Sequence, residues 1–256
     1  MLSVSRRYKI DMLRAFHCDL HVHTCLSPCA ELDMYPRAVV EKSIVEKLDI
    51  IAICDHNASE NTQFVLKSAN ETALTVLPGM EITSSEEVHL LALFDSINDL
   101  KKVQNIIYDH LSGTNREEVF GCQAIVNEAD EVEGFNDRLL IGATTLSVHE
   151  IVHYIHHFGG LAIASHIDRE SFSIISQLGF IDPKVPFDAL EITHQTGIRN
   201  ARVKYPELSQ HPLIVSSDAH FLKEIGQGKT TMFLERGTIS EIKLAFEHRL
   251  GRYIQE

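Results

Sequence analysis

No stretch of the 256-residue chain approaches the roughly 20 consecutive apolar residues of a membrane span, which excludes a transmembrane helix. No apolar run follows the basic segment Ser5-Arg6-Arg7-Tyr8-Lys9, so a secretory signal is not expected, and the first fifteen residues or so read as an appendage to the first strand. Positive charge is short: 23 lysines and arginines face 36 aspartates and glutamates, giving a formal charge of −13. That balance opposes non-specific attraction to a phosphate backbone, so nucleic acid is not the expected partner, although a local cationic or metal-filled cleft could still take an anionic substrate. Five cysteines (Cys18, Cys25, Cys29, Cys54, Cys122) form an odd set without framework spacing, which fits reduced thiols in a cytoplasmic protein. Internal repeats are absent. What is present is an ordinary globular composition, 44% hydrophobic and 23% charged, in a length common for one α/β barrel, together with fifteen histidines.

The positions of those histidines carry the information. In a strand from Phe16 to Val22 side chains alternate between faces, so His21 and His23 point the same way at its C-terminal end and their imidazoles converge. Neutral imidazole suits zinc, iron, copper and nickel, yet a lone His-x-His also occurs as an ordinary surface or core pair. The neighbouring segments decide between these. A helix is predicted over Tyr35 to Leu48, with Pro36 in its first turn and Ala38, Val39, Ile44, Val45 and Leu48 as its apolar stripe. Asp49 to Cys54 is continuously apolar after its first residue, as expected of a strand buried on both faces of a parallel sheet, and it ends in Asp55-His56-Asn57. A strand at Leu74 to Leu77 and a turn at Pro78-Gly79 precede Glu81, and Val88 to Phe94 starts a strand with His89 near its beginning.

Residues 112–146 have the least regular pattern and are predicted to be a small insertion holding a hairpin. Ser147-Val148-His149-Glu150 is a capping box that opens a helix to Phe158. Further strands end at His166, at Thr193-His194 and at Ser217-Asp218-Ala219-His220, and Thr238 to Glu241 caps a final helix. Alternating strands and helices predict a parallel sheet covered by helices, and polar clusters after at least five strands favour a barrel over an open doubly wound sheet. The expected organisation is a single barrel domain over residues 1–256, of α/β class.

Asp19-Leu20-His21-Val22-His23-Thr24, then Asp55-His56-Asn57, Gly79-Met80-Glu81 with His89, His166, and Ser217-Asp218-Ala219-His220 resemble the ordered motif set of the PHP (polymerase and histidinol phosphatase) superfamily. The similarity runs from about residue 16 to residue 222 and is nearest to the stand-alone metal-dependent phosphoesterases. It implies a distorted (β/α)7 TIM-like barrel, two or three divalent metals (zinc, manganese or iron), and hydrolysis of a small phosphorylated substrate, nucleotides included, by water. It further implies that His21, His23, Glu81 and Asp218 hold one metal, that Glu81 bridges to a metal held by His89 and His166, and that His56 and His220 bind another. Relatives place Asp or His seven or eight residues after the first histidine. Here Pro28 and Cys29 stand there, so either Cys29 as a thiolate or Glu31 is the expected replacement, or else that metal is weakly held.

Other residues have competing readings. His149, His153, His156 and His157 look like a metal patch, but the apolar residues between them take the opposite helical face, which makes the histidines solvent-facing. Cys25 and Cys29 lack the further thiolates of an iron–sulfur site. His194 is a candidate ligand or leaving-group acid, Asp19 a group that orients its neighbours, and Arg169 either a phosphate grip or a surface ion pair. Two alternatives to the phosphoesterase remain at this stage: a nuclease acting on DNA or RNA ends, and a non-catalytic metal-bound scaffold.

Overall fold

The computed structural model describes residues 13–256, so most of the expected N-terminal appendage lies outside the described residues. The first part of the chain forms β1 (Arg14–Val22), α1 (Pro36–Val45), β2 (Ile50–Ile53), α2 (Thr62–Ser68), β3 (Thr75–Thr83), β4 (His89–Leu93) and α3 (Ile97–His110). Within 112–146 lie α4 (Glu117–Phe120) and the predicted hairpin, β5 (Ala124–Val126) with β6 (Val132–Phe135). The remainder forms α5 (Val148–His157), β7 (Leu161–Ala164), α6 (Ile174–Leu178), β8 (Ala189–Thr193), α7 (Gly197–Lys204), β9 (Leu213–Ser216), β10 (Thr230–Leu234), α8 (Ile239–Phe246) and β11 (Tyr253–Gln255).

One sheet runs in the order β11-β10-β1-β2-β3-β4-β7-β8-β9. The β9 end of the sheet comes round to β1, because the His23 amide donates to the Ala219 carbonyl at 3.0 Å and Val22 bridges Ala219 in parallel. Seven strands, from β1 through β4 and then β7 to β9, thereby curl into the nearly closed barrel that the resemblance implied. β10 fills the seam below that contact: it pairs antiparallel with β1, and the Thr230 hydroxyl bonds both the amide and the carbonyl of Val215 at 2.8 Å. The barrel's distortion is β4, which is antiparallel to both β3 and β7. Leu20, Ala52, Leu91, Ile163 and Ile214 pack in one buried cluster, while Leu90 and Ala92, on the other face of β4, pack with Val103 of α3 and Ile151 and Ile155 of α5. Period-2 burial on both faces explains why β2 reads as an unbroken apolar run.

Two local expectations are corrected. Pro78-Gly79 is no turn but the middle of β3, where pairing passes from β2 (Thr75 to Pro78) to β4 (Gly79 to Thr83). Proline's missing N–H falls at that changeover, and the Pro78 carbonyl still accepts from the Phe94 amide at 2.8 Å. Glycine follows because a Cβ at residue 79 would sit 2.9 Å from the Ile53 carbonyl oxygen and 3.0 Å from the Cys54 sulfur. In α1, Ile44 and Val45 are exposed, and Val40 and Ser43 are buried in their place. Ser43 tolerates burial because its hydroxyl donates to the Val39 carbonyl at 2.7 Å.

On α5 the apolar face (Val148, Ile151, Val152, Ile155) is buried, and His149, His153 and His157 are exposed as expected. His156 instead bonds Asp188 Oδ2 at 2.8 Å. No helix among the described residues is long and apolar enough to cross a membrane.

Candidate metal centre

The C-terminal ends of β1, β2, β7 and β9 bring His21, His23, His56, His166, Asp218 and His220 to one rim of the barrel. β3 delivers Glu81 there. Because β4 runs the other way, its first residue, His89, reaches the same rim. Glu81 is the hub: Oε1 lies 3.0 Å from His89 Nδ1, 3.2 Å from His166 Nε2 and 3.4 Å from His21 Nε2, and Oε2 lies 3.2 Å from His56 Nδ1 and 3.4 Å from His23 Nε2. Asp218 Oδ1 is 3.4 Å from His21 Nε2 and 3.3 Å from His23 Nε2. Three overlapping sets have donor atoms within 4.8 Å of one another: His21, His23, Glu81 and Asp218; His56, Glu81 and His89; and His23, His56 and His220. His166 touches Glu81 without joining a set. Almost the whole cluster is buried, with Glu81 1% exposed.

Hydrogen-bond direction shows what these nitrogens can bind. His21 Nδ1 lies 3.0 Å from Glu191 Oε2; a carboxylate only accepts, so the ring proton sits on Nδ1. Ser27 gives its one hydroxyl proton to Asp55 Oδ1 at 2.7 Å, so it accepts from His23 Nδ1 at 2.9 Å, and His23 too is protonated at Nδ1. Burial pushes Asp55 up to about 6, which leaves it an ionised acceptor at neutral pH. With both rings neutral, the two Nε2 lone pairs face each other across 3.1 Å. Two lone pairs at that distance repel unless a cation lies against both, and either a proton on His21 Nε2 or a divalent metal meets that condition. Burial, then the neighbouring His220, pulls His23 down to about 3, which keeps it neutral and able to ligate. His21 is driven well above its ordinary value against burial, because Glu191, Glu81 and Asp218 surround it; the field that would favour a proton there favours a metal cation equally. Although burial opposes it, His89, His21 and His56 hold Glu81 well below the usual carboxylate range.

The supporting residues fix the aim of the donors. Asp19 accepts from the amides of Ser217 and Gly226, each at 2.9 Å, and so holds the loop that carries Asp218, which is the orienting part expected of it. Asn57, His166 and Asp218 have φ of 50°, 26° and 53°, left-handed conformations that non-glycine residues adopt only when their surroundings impose them. Asn57 is bound into the insertion, its amide nitrogen donating to the carbonyls of Leu140 and Gly142 at 2.8 and 2.9 Å. Ser27→Ala should remove the acceptor for His23 Nδ1–H and weaken metal binding by about 10- to 100-fold; a competition titration against a chelator measures it. Unchanged affinity would refute the tautomer argument.

Cys29 and Glu31 are exposed, and neither joins a donor set. Cys29 lines the mouth of the cluster beside His56, Glu81 and His220. Arg169 donates from Nη1 to Asp218 Oδ2 at 2.5 Å. His194 lies outside the donor sets, on the wall of a cavity of about 550 Å³ that opens beside His166, Asp218 and His220. Glu191 was not singled out from the sequence. The available signal was a single carboxylate inside the otherwise apolar strand Ala189-Leu190-Glu191-Ile192, a placement that demands a partner.

No family model matches the chain, and no curated protein sequence matches it significantly. Solved structures do. A lesion-specific endonuclease, PfuEndoQ from Pyrococcus furiosus, superposes over 94% of this chain with a TM-score of 0.75 at 15% identity. Endonuclease Q bound to a 27-mer duplex with an abasic lesion at its active site superposes over the same share with 0.68, also at 15%. A Bifidobacterium adolescentis protein assigned as a metal-dependent phosphoesterase gives 0.54 at 18% identity over 79% of this chain and 87% of its own. The chain shares their fold. It spans 58% of the length of the two endonuclease chains. Their shared fold agrees with the barrel that the motif resemblance implied.

They also correct one expectation. The charge of −13 argued against a nucleic-acid partner, whereas one of the matching folds holds a DNA duplex at its active site. Net charge is a sum over the whole surface. Binding at a cleft follows the local field and any metal in it, so an acidic total does not exclude a polyanionic substrate.

Proposed function

We propose that the protein is a metal-dependent phosphoesterase, organised as one PHP-type barrel domain. The observation that supports it most is the pair of facing Nε2 lone pairs of His21 and His23, set against Glu81 and Asp218. In this reading two or three divalent ions (zinc, manganese or iron) would be held by His21, His23, Glu81 and Asp218, by Glu81, His89 and His166, and by His56 and His220. Such ions would make water nucleophilic near neutral pH and clamp the oxygens of a phosphoester.

The chain's own groups do the rest. Glu81 and Asp218 supply the negative charge that keeps the ions together. His194, on the cavity wall, would give a proton to the departing alcohol oxygen, and Arg169 would exchange its contact with Asp218 for a substrate phosphate oxygen. Cys29, once expected as a ligand, is assigned to the mouth.

A second reading, cleavage of nucleic acid, is favoured by the superposition with Endonuclease Q over 94% of this chain. Release of phosphate from small esters, run beside cleavage of single strands and of duplexes with and without an abasic site, separates the two. Activity confined to oligonucleotides would replace the small-ester reading. A fully metal-loaded protein inactive on every substrate would be a scaffold.

A further inference from the structure

The histidines of α5 take no part in the cluster at the barrel rim. His149, His153 and His157 recur at every fourth residue and are exposed, so they form a ladder along the outer face of the helix, about one turn apart. His156 is turned aside to Asp188. Within the ladder, His149-Glu150-Ile151-Val152-His153 has the His-Glu-x-x-His spacing by which a helix offers two imidazoles to one zinc ion and a glutamate as general base. The structure keeps only the first half of that chemistry. Glu150 is committed to the helix cap, where Oε2 accepts from the Ser147 amide at 2.9 Å and from the Ser147 hydroxyl at 2.7 Å. With the base engaged and both imidazoles exposed to solvent, the motif is fitted to hold an ion and not to hydrolyse a substrate.

A third donor comes from a distant part of the chain. Asp182, in the loop between α6 and β8, places Oδ2 3.2 Å from His149 Nε2, while its Oδ1 accepts from the Lys184 amide at 2.9 Å, which anchors the carboxylate. Two ligand atoms about 2.0–2.2 Å from one tetrahedral ion lie roughly 3.3–3.6 Å apart, close to the separation already present. His153 is the neighbour of His149 on the same face of the helix, with roughly 5–6 Å expected between their Cβ atoms. Its ring now stacks beside that of His157, with centroids 6.1 Å apart. Turning it towards His149 is a change of rotamer open to an exposed side chain. His157 competes for the same central ring, but of the three only His149 is paired with a carboxylate among the described residues.

We infer that His149, His153 and Asp182 form a second metal site, for one zinc ion, that ties α5 to the loop before β8. It shares no ligand with the cluster at the rim and does not depend on the phosphoesterase reading. Two imidazoles, one carboxylate and a water in the fourth position make a ligand set that zinc accepts.

Equilibrium dialysis of the full-length protein against buffered free zinc, followed by elemental analysis, counts the ions per chain. At saturation wild type should hold about one equivalent more than His149→Ala/His153→Ala, and the same difference should appear when both carry His21→Ala/His23→Ala at the rim. Asp182→Asn should weaken this uptake by about 10-fold or more, because even residues that only support a ligand cost about 10- to 100-fold. His157→Ala should leave it unchanged. Since the ion joins two segments of the folded chain, the melting temperature should rise with zinc more steeply in wild type than in Asp182→Asn. Equal zinc in wild type and the α5 double variant overturns the site. A loss in His157→Ala with none in Asp182→Asn overturns the assignment as well, because the ion would then sit between His153 and His157.

Discussion

Protein isolated without chelator should carry about two or more equivalents of divalent transition metal, and the double variant His21→Ala/His23→Ala should lose about one of them. The expectation comes from the hydrogen-bond directions at β1. Glu191 and Ser27 hold the ring protons of both histidines on Nδ1, and the two Nε2 lone pairs meet at 3.1 Å with Glu81 and Asp218 within 3.4 Å. Without a cation this is four electron-rich groups in a buried space. Removing both imidazoles deletes half of one donor set and one member of the set with His56 and His220, and leaves His56, Glu81 and His89 as a set in place, which is why a partial loss is expected. Elemental analysis of fresh protein decides the matter. Substoichiometric metal in the wild type would end the metal-centre reading, and full metal in the double variant would move the ligands elsewhere.

The second large effect is expected from Asp218→Asn: kcat for phosphate release should fall by about 10²- to 10³-fold with much less change in substrate affinity. Asparagine nearly preserves the shape, and it is among the residues that best tolerate the left-handed backbone of this position, φ 53°, so the loop should stay folded. What the substitution removes is one negative charge beside His21 and His23, together with the ion pair to Arg169. If the charge acts mainly when the phosphoester is being attacked, the loss appears in kcat. Steady-state kinetics on small esters separates the cases: a rise in KM at constant kcat would place Asp218 in substrate binding, and no change would remove it from the site.

Much of this site could be read from strand ends. His21, His23, His56, His166, Asp218 and His220 follow short apolar runs, and a parallel barrel gathers the ends of such runs on one rim. His89 was legible as a histidine near the start of a strand, but its arrival at the same rim was not, since Leu90 to Leu93 carry no information about direction. Pro78-Gly79 misled because the dipeptide is a common turn signal, and its actual use, a change of pairing partner within one strand, depends on both neighbours. The fate of Cys29 depended on the course of the loop from Thr24 to Met34, which no periodicity specifies. Glu191 went unnoticed because its strand was read for hydrophobicity, and the net charge misdirected the partner because a sum conceals where the charges lie.

The clasp between His23 and Ala219 has a consequence for the order of events during synthesis. A ribosome that has delivered the first hundred residues has made His21, His23, His56, Glu81 and His89, yet Asp218 arrives about two hundred residues after His21, and the barrel cannot close before β9 meets β1. A contact of such sequence separation forms late, after the local helices and hairpins. Tight metal capture should therefore accompany the last step of folding, and metal added during refolding should accelerate little until closure and then hold the closed barrel shut. Nascent chains stalled before residue 213 are predicted to bind metal loosely and exchange it freely, whereas the completed barrel retains it, a difference that pulse-chase exchange with a labelled isotope would measure.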